Sequence, residues 1–326
     1  MRHPALRLMI SGIALAVAGT AAGCSAAPGL AYDQGVAHPE ASGSAAIAMV
    51  PASARDKTED ATSLSVAGTP QGVKAKEGML VDAATGQVLW SRNVNTTAPI
   101  ASITKVMTAL VIIQAGNLNQ EVTVPKEVTA YVAKYAANAA GLVPGQQFTV
   151  DELLHIMLVM SAADAAYTLA NAYGPGLTGF IAKMNAEAAR LGLTGTRFTS
   201  PDGLPYPSET STYSTSADLV RLGELAMTYP EFSSIVKLHT YSVPATVDHN
   251  AVSVTSDNAL LATYPGTVGI KTGFTNAAGH TLLFEAVRDG RTLLGVVLGS
   301  PITGFASAAQ DAAKVLNWGF ALQQSS

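Results

Sequence analysis

The sequence predicts a mixed fold of the α/β or α+β class, in which one sheet is assembled from both ends of the globular segment. Two observations support this prediction. Short apolar segments of the β type, separated by turn residues, occur near residue 80 and again after residue 267. Between them, apolar residues recur at helical spacing and follow helix-capping patterns. A layered sheet with a helical insertion accommodates both observations.

The composition of the 326-residue chain excludes several classes of protein. Hydrophobic residues make up 48% and charged residues 13%, so the chain is too apolar to be largely disordered and can form a sizeable core. A net charge of −4 excludes a nucleic-acid binder that works through a basic face. One cysteine cannot form an internal disulfide, and no Cys/His cluster has the spacing of a zinc site.

The first 24 residues are typical of a bacterial export signal. Two arginines precede a short apolar stretch that ends in small residues, and this stretch is too short for a comfortable membrane-spanning helix. The tetrapeptide 21–24, Ala-Ala-Gly-Cys, resembles the lipobox, in which the cysteine is lipidated and becomes the first residue of the mature protein. We therefore predict a signal peptide over residues 1–24 and a lipid anchor on Cys24. Cleavage a few residues later, which would discard Cys24, is the alternative.

Residues 25–76 differ in composition from the rest of the chain. They are rich in Ala, Ser, Gly, Pro and Thr, and no apolar periodicity persists. We predict a flexible tether here, which leaves residues 77–326 as the globular domain. That domain is predicted to begin with two strands, 79–81 and 88–90, joined by a glycine-containing turn.

The middle of the domain is predicted to be helical. Residues 102–115 are apolar almost all round, which is typical of a helix buried in the centre of a domain. Three further helix starts show a capping residue followed three positions later by an acidic residue. These pairs are Thr149 with Glu152, Ser161 with Asp164, and Thr215 with Asp218.

Three strands and a helix are predicted to complete the domain. Residues 268–270, 282–287 and 293–298 are strand-like, and Asp289-Gly290 between the last two is a strong hairpin signal. The final helix carries one apolar face. That face consists of Phe305, Ala309, Ala312, Leu316 and Phe320.

Ser102 and Lys105 are the first candidates for catalysis. On a helix their side chains lie one turn apart on the same face, with the positive end of the helix dipole beside the serine. A lysine buried in such an apolar setting loses proton affinity and can act as a base. The Ser-x-x-Lys pattern alone is weak evidence, because Ser234 and Lys237 also match it. An ordinary helix start with a solvated lysine is the alternative for each pair.

Lys271, Thr272 and Gly273 form a second candidate site after an apolar strand segment. On a strand edge they offer a cation, a hydroxyl donor and room for close backbone approach. This combination suits an anionic, extended ligand. An edge-strand lysine followed by a bulge glycine is the alternative without a function.

These motifs resemble those of the serine penicillin-recognising enzymes, specifically the low-molecular-mass D-alanyl-D-alanine carboxypeptidases. The family carries Ser-x-x-Lys, Ser-x-Asn and Lys-Thr-Gly motifs. The resemblance extends over about residues 77–322 and implies a sheet of antiparallel strands flanked by helices, with a mostly helical subdomain within about residues 101–264. It includes segments outside the motifs, such as Leu142-Val143-Pro144-Gly145, Asp164-Ala165-Ala166, Asp202-Gly203-Leu204, and Asn258 with Leu260-Leu261.

The resemblance also implies roles for individual residues, in a cleft between the sheet and the helical subdomain. Ser102 would attack the carbonyl of a peptide ending in D-Ala-D-Ala, and Lys105 would take its proton. Ser161 would pass a proton to the leaving D-alanine. Lys271 and Thr272 would hold the terminal carboxylate.

Gly273 and Phe274 complete the implied substrate-binding segment, and the backbone N–H groups of Phe274 and Ser102 would form the oxyanion hole. The implied partners are the peptidoglycan stem peptide, β-lactams that acylate the same serine, and the membrane through a lipid on Cys24. The resemblance implies no metal, no organic cofactor and no nucleic acid. The protein is expected at the outer face of the cytoplasmic membrane or in the cell wall.

The chain departs from the family at the second motif. Ser161-Ala162-Ala163 has the serine, but alanine replaces the asparagine that bonds the substrate's backbone amide in the family. Losing one such hydrogen bond costs about 1–3 kcal/mol. Literal Ser-x-Asn matches at 91–93 and 256–258 lie before the Ser102 helix and in a loop, so the local context favours Ser161.

Two alternatives to an active carboxypeptidase follow. A non-catalytic or weakly active penicillin-binding wall lipoprotein would keep the fold without efficient turnover, and Ala163 is the feature that points to it. A class A β-lactamase would need a deacylating glutamate, for which residues 200–214 offer only Glu209, without a convincing partner asparagine.

Overall fold

The structure is a computed structural model, which describes residues 68–304 and 306–322. Its strands are β1 (Glu77–Asp82), β2 (Val88–Arg92), β3 (Ala98–Pro99), β4 (Glu121–Thr123), β5 (Gln147–Thr149), β6 (Tyr213–Ser214), β7 (Thr240–Val243), β8 (Val252–Thr255), β9 (Thr267–Thr275), β10 (Gly279–Arg288) and β11 (Arg291–Ser300). Its helices are α1 (Lys105–Ala115), α2 (Val128–Tyr135), α3 (Val150–Val159), α4 (Ala163–Tyr173), α5 (Gly176–Arg190), α6 (Ser216–Met227), α7 (Pro230–Val236), α8 (Ala259–Thr263) and α9 (Ser307–Ala321).

Five strands form the central sheet in the order β2-β1-β11-β10-β9, and every neighbouring pair is antiparallel. The two ends of the domain therefore contribute to one sheet, as predicted, and β9 lies at one edge. Asp289 and Gly290 join β10 to β11 with positive φ angles of 51° and 78°, as a two-residue type I′ turn requires. The predicted hairpin is confirmed.

Helices cover both faces of the sheet. Successive side chains of a strand point to opposite faces, so neighbouring residues of one strand pack against different helices. On β10, Leu282 and Phe284 are buried in the cluster that includes α9, whereas Leu283 between them is buried with the helices of the other face. α9 packs on β10 and β11, and α6 packs on β1 and β11. The sheet is thus the middle layer of the domain.

α1 lies at the centre of the helical part of the domain. Eight of its eleven residues are buried, and α3, α4, α5, α6 and α7 all pack against it. This confirms the central helix that the apolar pattern of residues 102–115 predicts. The beginning differs from the prediction, because Ala101–Thr104 form a 3₁₀ turn and α1 starts at Lys105.

Two of the three predicted helix caps are confirmed. The hydroxyls of Thr149 and Thr215 each accept a hydrogen bond from the backbone N–H three residues later, at 3.2 and 3.1 Å. The cap predicted at Ser161 is wrong. Ser161 has a left-handed φ of 65°, so Ala162 becomes the N-cap of α4 and provides no side-chain hydrogen bond.

Residues 68–76, which the composition assigns to the tether, lie along α9. The backbone N–H of Lys74 donates to Asp311 at 2.9 Å, and the indole of Trp318 donates to the backbone oxygen of Gly68 at 3.0 Å. Packing of the domain therefore begins several residues before the predicted boundary.

Some sequence predictions fall outside the described residues. These are the signal peptide, the lipid anchor on Cys24, most of the tether, and Phe305 on the apolar face of the last helix. In the part of the chain that the structure describes, no helix combines the length and the hydropathy needed to cross a membrane.

Candidate active site

The side chains of Ser102 and Lys105 meet at the start of α1. Lys105 Nζ donates one hydrogen bond to Ser102 Oγ at 3.0 Å and another to the backbone oxygen of Asp202 at 2.9 Å. The lysine is 1% exposed, whereas the serine in the 3₁₀ turn is only half-buried. The amine therefore approaches the hydroxyl from inside the core and leaves its outer side accessible.

Burial controls the proton affinity of Lys105. Desolvation lowers its pKa from 10.5 to about 8; the carboxylate of Asp202 opposes this shift and the charge of Lys271 adds to it. A base with this pKa is partly neutral near neutral pH and can accept a proton from Ser102. The geometry that the Ser-x-x-Lys spacing predicts is present.

The second Ser-x-x-Lys pair lacks this geometry. Ser234 Oγ donates to the backbone oxygen of Glu231 at 2.9 Å, and Lys237 is exposed to solvent. The interpretation as a helix segment with a solvated lysine therefore applies to Ser234 and Lys237.

Asp202 supports Lys105 from the opposite side. Its carboxylate accepts a hydrogen bond from the hydroxyl of Tyr131 at 2.9 Å. The next residue, Gly203, has a φ of 81° and lies so close to the backbone oxygen of Ala101 that a side chain there would clash. The Asp-Gly pair is the sequence signal for this close approach, but no local pattern identifies Tyr131.

Ser161 lies in the connection between α3 and α4, both of which pack against α1. The residue is 6% exposed. Asp164, three positions later, is also buried. The structure thus brings the second motif toward the first.

Asp164 and Asn138 hold the Ser161 connection in place. Asp164 is 2% exposed, and its carboxylate accepts hydrogen bonds from three consecutive backbone N–H groups. These belong to Ala140, Gly141 and Leu142, at 2.9–3.1 Å. Asn138 accepts a hydrogen bond from Ala163 N at 2.8 Å and donates one to Met160 O at 2.5 Å.

Ala163 occupies the position of the motif asparagine and is 2% exposed. It is the first residue of α4, held by its backbone against Asn138. The carboxamide of Asn138 bonds to Met160 O, directly before Ser161, and the residue is exposed. A polar carboxamide therefore lies beside this turn. No sequence pattern points to Asn138, because it belongs to a different loop.

β9 presents Lys271 and Thr272 at the edge of the sheet. Lys271 is 1% exposed, and its Nζ donates to the backbone oxygen of Thr272 at 3.1 Å and to its hydroxyl at 3.2 Å. Burial lowers the pKa of Lys271, and the carboxylate of Asp257 opposes that shift. A buried cation beside a hydroxyl is the arrangement that the predicted anion site requires.

Gly273 lets β9 approach the start of α1. A Cβ at this position would lie 2.5 Å from Thr281 Oγ1 and 2.9 Å from both Ile100 O and Ser102 N. β9 therefore runs alongside the backbone N–H of Ser102, and Phe274 follows directly. The ring of Phe274 is 46% exposed.

The triplet 256–258, which the local context disfavours as a motif, contributes a different residue to this region. Thr272 Oγ1 donates a hydrogen bond to Asp257 Oδ1 at 2.6 Å. Asn258 instead caps α8 by accepting from Leu260 N at 3.1 Å. The other triplet, 91–93, lies at the end of β2, at the edge of the sheet opposite to β9.

Two observations concern residues that other chemistry would use. Glu209, the glutamate that a class A β-lactamase would need, is exposed in the loop that precedes β6. Over residues 68–304 and 306–322, no three His, Cys, Asp or Glu side chains are grouped in a way that could hold a metal ion.

Comparison with known proteins agrees with the motifs. A family model described as D-alanyl-D-alanine carboxypeptidase (Peptidase S11) matches residues 64–302. A D-alanyl-D-alanine carboxypeptidase of Streptomyces sp. (strain K15) is 35% identical over 266 residues, which cover 78% of this chain and 90% of the relative. The D-alanyl-D-alanine carboxypeptidase DacB2 of Mycobacterium tuberculosis is 38% identical over 249 residues, with 76% and 83% covered.

Solved structures agree with the fold. The crystal structure of the Streptomyces K15 DD-transpeptidase has a TM-score of 0.72 at 35% identity and covers 78% of this chain and 100% of that chain. A D-alanyl-D-alanine carboxypeptidase from Mycobacterium tuberculosis has a TM-score of 0.70 at 35% identity, with 79% and 98% covered. On the sequence, the fold and the family model together, the chain belongs to the D-alanyl-D-alanine carboxypeptidase family of serine peptidases.

Proposed function

We propose that the protein is a serine D-Ala-D-Ala carboxypeptidase that acts on peptidoglycan stem peptides. The observation that carries the proposal is the 3.0 Å hydrogen bond between the buried amine of Lys105 and the hydroxyl of Ser102. Membership of the family supports the substrate class, since the matched relatives are named for this activity.

Acylation begins at Ser102. Neutral Lys105 accepts the hydroxyl proton while Ser102 Oγ attacks the carbonyl carbon of the penultimate D-alanine. The backbone N–H groups of Ser102 and Phe274 stabilise the negative charge that develops on the carbonyl oxygen. The C–N bond then breaks, and the leaving amine receives the proton that Lys105 passes on through Ser161.

Deacylation returns the enzyme to its starting state. A water molecule attacks the ester carbonyl and gives a proton to Lys105, which returns it to Ser102 Oγ as the ester bond breaks. The products are D-alanine and a peptide shortened by one residue. Lys105 thus acts as base and acid in both half-reactions.

Lys271 and Thr272 bind the terminal carboxylate of the substrate in this proposal. The buried ammonium group supplies the charge, and the hydroxyl supplies a directed hydrogen bond. A β-lactam offers a carboxylate and a strained amide to the same groups, and it acylates Ser102 in place of the peptide.

The N-terminal segment supports a location outside the cytoplasm. Residues 1–24 have the composition of an export signal, and we propose that a lipid on Cys24 anchors the protein to the outer face of the cytoplasmic membrane. Stable anchoring requires more than one acyl chain, which a lipidated N-terminal cysteine carries. The substrate in the cell wall lies on the same side of the membrane.

Release of D-alanine from an N-acylated peptide ending in D-Ala-D-Ala tests the proposed function. The wild type should release D-alanine, and Ser102→Ala should reduce the rate to background. Ser234→Ala is the matched control, because it removes the hydroxyl of the other Ser-x-x-Lys pair and should leave the rate unchanged. Absence of release by the wild type, with penicillin still bound, would favour the non-catalytic wall protein instead.

A further inference from the structure

Asp257 accepts the hydrogen bond that the hydroxyl of Thr272 would donate to the carboxylate of the proposed substrate. Its Oδ1 accepts a hydrogen bond from Thr272 Oγ1 at 2.6 Å, and the same hydroxyl accepts one from Lys271 Nζ at 3.2 Å. A hydroxyl has one proton to donate. While that proton points toward Asp257, it is not available to the carboxylate of a bound peptide.

Asp257 also changes the charge of the pocket. Lys271 is 1% exposed, and Asp257 is the charged group that counteracts the effect of burial on its pKa. A ligand carboxylate would therefore enter a pocket that already contains one anion beside its cation. Like charges at short range repel each other, although solvent screens an exposed carboxylate in part.

We propose that Asp257 is a specificity-determining residue, which weakens the binding of ligands that end in a free carboxylate relative to ligands that end in an amide. The proposal rests on the proposed function, because it concerns the ligand that Lys271 and Thr272 hold. To bind a carboxylate, the Thr272 hydroxyl must turn away from Asp257. The Asp257 carboxylate then loses its donor and faces a second anion.

An amide at the same position avoids both costs. It is neutral, and its N–H can donate to Asp257 while Thr272 keeps its existing hydrogen bond. The class of ligand that Asp257 favours is therefore a peptide in which the carboxylate after the scissile bond is masked as an amide, either by amidation or by continuation of the chain.

The test compares two ligands in calorimetric titrations: an N-acylated peptide ending in D-Ala-D-Ala, and the same peptide with a C-terminal carboxamide. All proteins carry Ser102→Ala, so that no acylation occurs. Asp257→Asn and Asp257→Ala are added separately, since Asp257 is exposed and its replacement leaves the core intact. Asp248→Asn is the control, because it removes another exposed negative charge, in the loop between β7 and β8.

We expect both Asp257 substitutions to lower the Kd of the acid peptide by about 5- to 10-fold, and the amide peptide to bind no tighter. Asp248→Asn should leave the ratio of the two Kd values unchanged. An unchanged ratio in the Asp257 variants would overturn the proposal. Weaker binding of the acid peptide would also overturn it, because Asp257 would then be orienting Thr272 for the carboxylate.

Failure of this inference is distinguishable from failure of the proposed function. The titrations need no turnover, whereas D-alanine release by the protein with Ser102 intact tests the function separately. If Asp257→Asn, but not Asp257→Ala, binds the acid peptide more tightly, the asparagine side chain donates a new hydrogen bond to it. That result would count against the proposal. If the acid peptide binds none of the variants while the protein with Ser102 intact still releases D-alanine, the inference alone fails, because removal of Asp257 then does not improve the binding of a carboxylate.

Discussion

At the scale of single residues, the candidate site contains two buried lysines. Lys105 and Lys271 are each 1% exposed, and burial lowers the pKa of both, because a low-dielectric environment disfavours the charged form. In the proposed mechanism the two have opposite requirements. Lys105 must lose its proton to activate Ser102, whereas Lys271 must keep its charge to bind a carboxylate.

The pKa of Lys105 leads to a prediction about pH. With a pKa of about 8, the amine is mostly protonated at pH 7 and cannot take the Ser102 proton, and it is mostly neutral at pH 9. The second-order rate constant for acylation by penicillin should therefore rise about tenfold between these values. Loss of charge on Lys271 should reduce the rate at still higher pH. A rate that does not change from pH 7 to pH 9 would contradict the role of Lys105 as base.

Ala163 leads to a second prediction at this scale. The substitution Ala163→Asn restores the carboxamide of the family motif and should raise kcat/KM on a D-Ala-D-Ala peptide by about tenfold or more, which corresponds to about 1.4 kcal/mol. Acylation by penicillin should gain less, since ring strain supplies part of its driving force. The measurement is steady-state release of D-alanine, with penicillin acylation followed in parallel.

The competing outcome for Ala163→Asn is also specific. Because Ala163 is 2% exposed, a repacked turn would be overfilled by asparagine at a cost of about 1–3 kcal/mol. A lower melting temperature together with no gain on the peptide would show that the turn around Asn138 has adapted to alanine. That result would contradict the interpretation of Ala163 as a missing substrate contact.

At the scale of secondary-structure elements, the site forms where β9 runs past the 3₁₀ turn that precedes α1. Thr281 on β10 donates to the backbone oxygen of Ile100 at 3.3 Å, which ties the sheet to the chain entering that turn. Gly273 provides the space for this approach. The position of the Ser102 N–H relative to β9 therefore depends on a residue without a side chain.

Gly273→Ala tests this dependence. The added Cβ would lie 2.9 Å from Ser102 N, so β9 must move away from the proposed oxyanion hole. Acylation by penicillin should fall by about 100-fold or more, as when one oxyanion-hole donor is lost. Gly304→Ala is the control, since nothing lies within 4 Å of its Cβ position. Equal acylation rates for Gly273→Ala and wild type would contradict the placement of the oxyanion hole.

The features that a local pattern determines are predictable from the sequence. The Asp289-Gly290 hairpin, the cap at Thr149 and the buried centre of α1 all depend on residues within a few positions of one another. The contact between Ser102 and Lys105 is of the same kind, because one helical turn brings the two side chains together even though that turn begins as a 3₁₀ turn.

The features that depend on tertiary contacts are not predictable in this way. Lys105 bonds to Asp202, which lies 97 residues later in the chain, and Thr272 bonds to Asp257 from another loop. Ser161 fails as a cap because its left-handed φ of 65° makes Ala162 the N-cap of α4, and the carboxylate of Asp164 is engaged by a loop more than 20 residues earlier. No spacing rule anticipates such partners.

At the scale of the whole molecule, contacts between distant parts of the chain close the domain. Arg291 on β11 pairs with Asp82 on β1 at 2.8 Å, with both side chains largely buried. Residues 68–76 bind along α9 through Lys74 and Asp311. The first described residues are thus fixed to α9.

Attachment to the membrane is the prediction that belongs to this scale. If Cys24 carries the lipid, the full-length protein should partition into the detergent phase of a phase-separation experiment, and Cys24→Ala should move it to the aqueous phase. Metabolic labelling with a fatty acid should mark the wild type alone. Equal partitioning of both proteins into the aqueous phase would contradict the lipobox interpretation.

The most direct test of the proposed active site is covalent labelling with a fluorescent penicillin, followed by mass spectrometry of the modified peptide. The label should be found on Ser102 in the wild type and in Ser234→Ala. It should be absent from Ser102→Ala, and Lys105→Met should slow it by orders of magnitude, because the buried base that takes the proton is gone. A label on any other residue, or labelling that persists in Ser102→Ala, would contradict the assignment of Ser102 as the nucleophile.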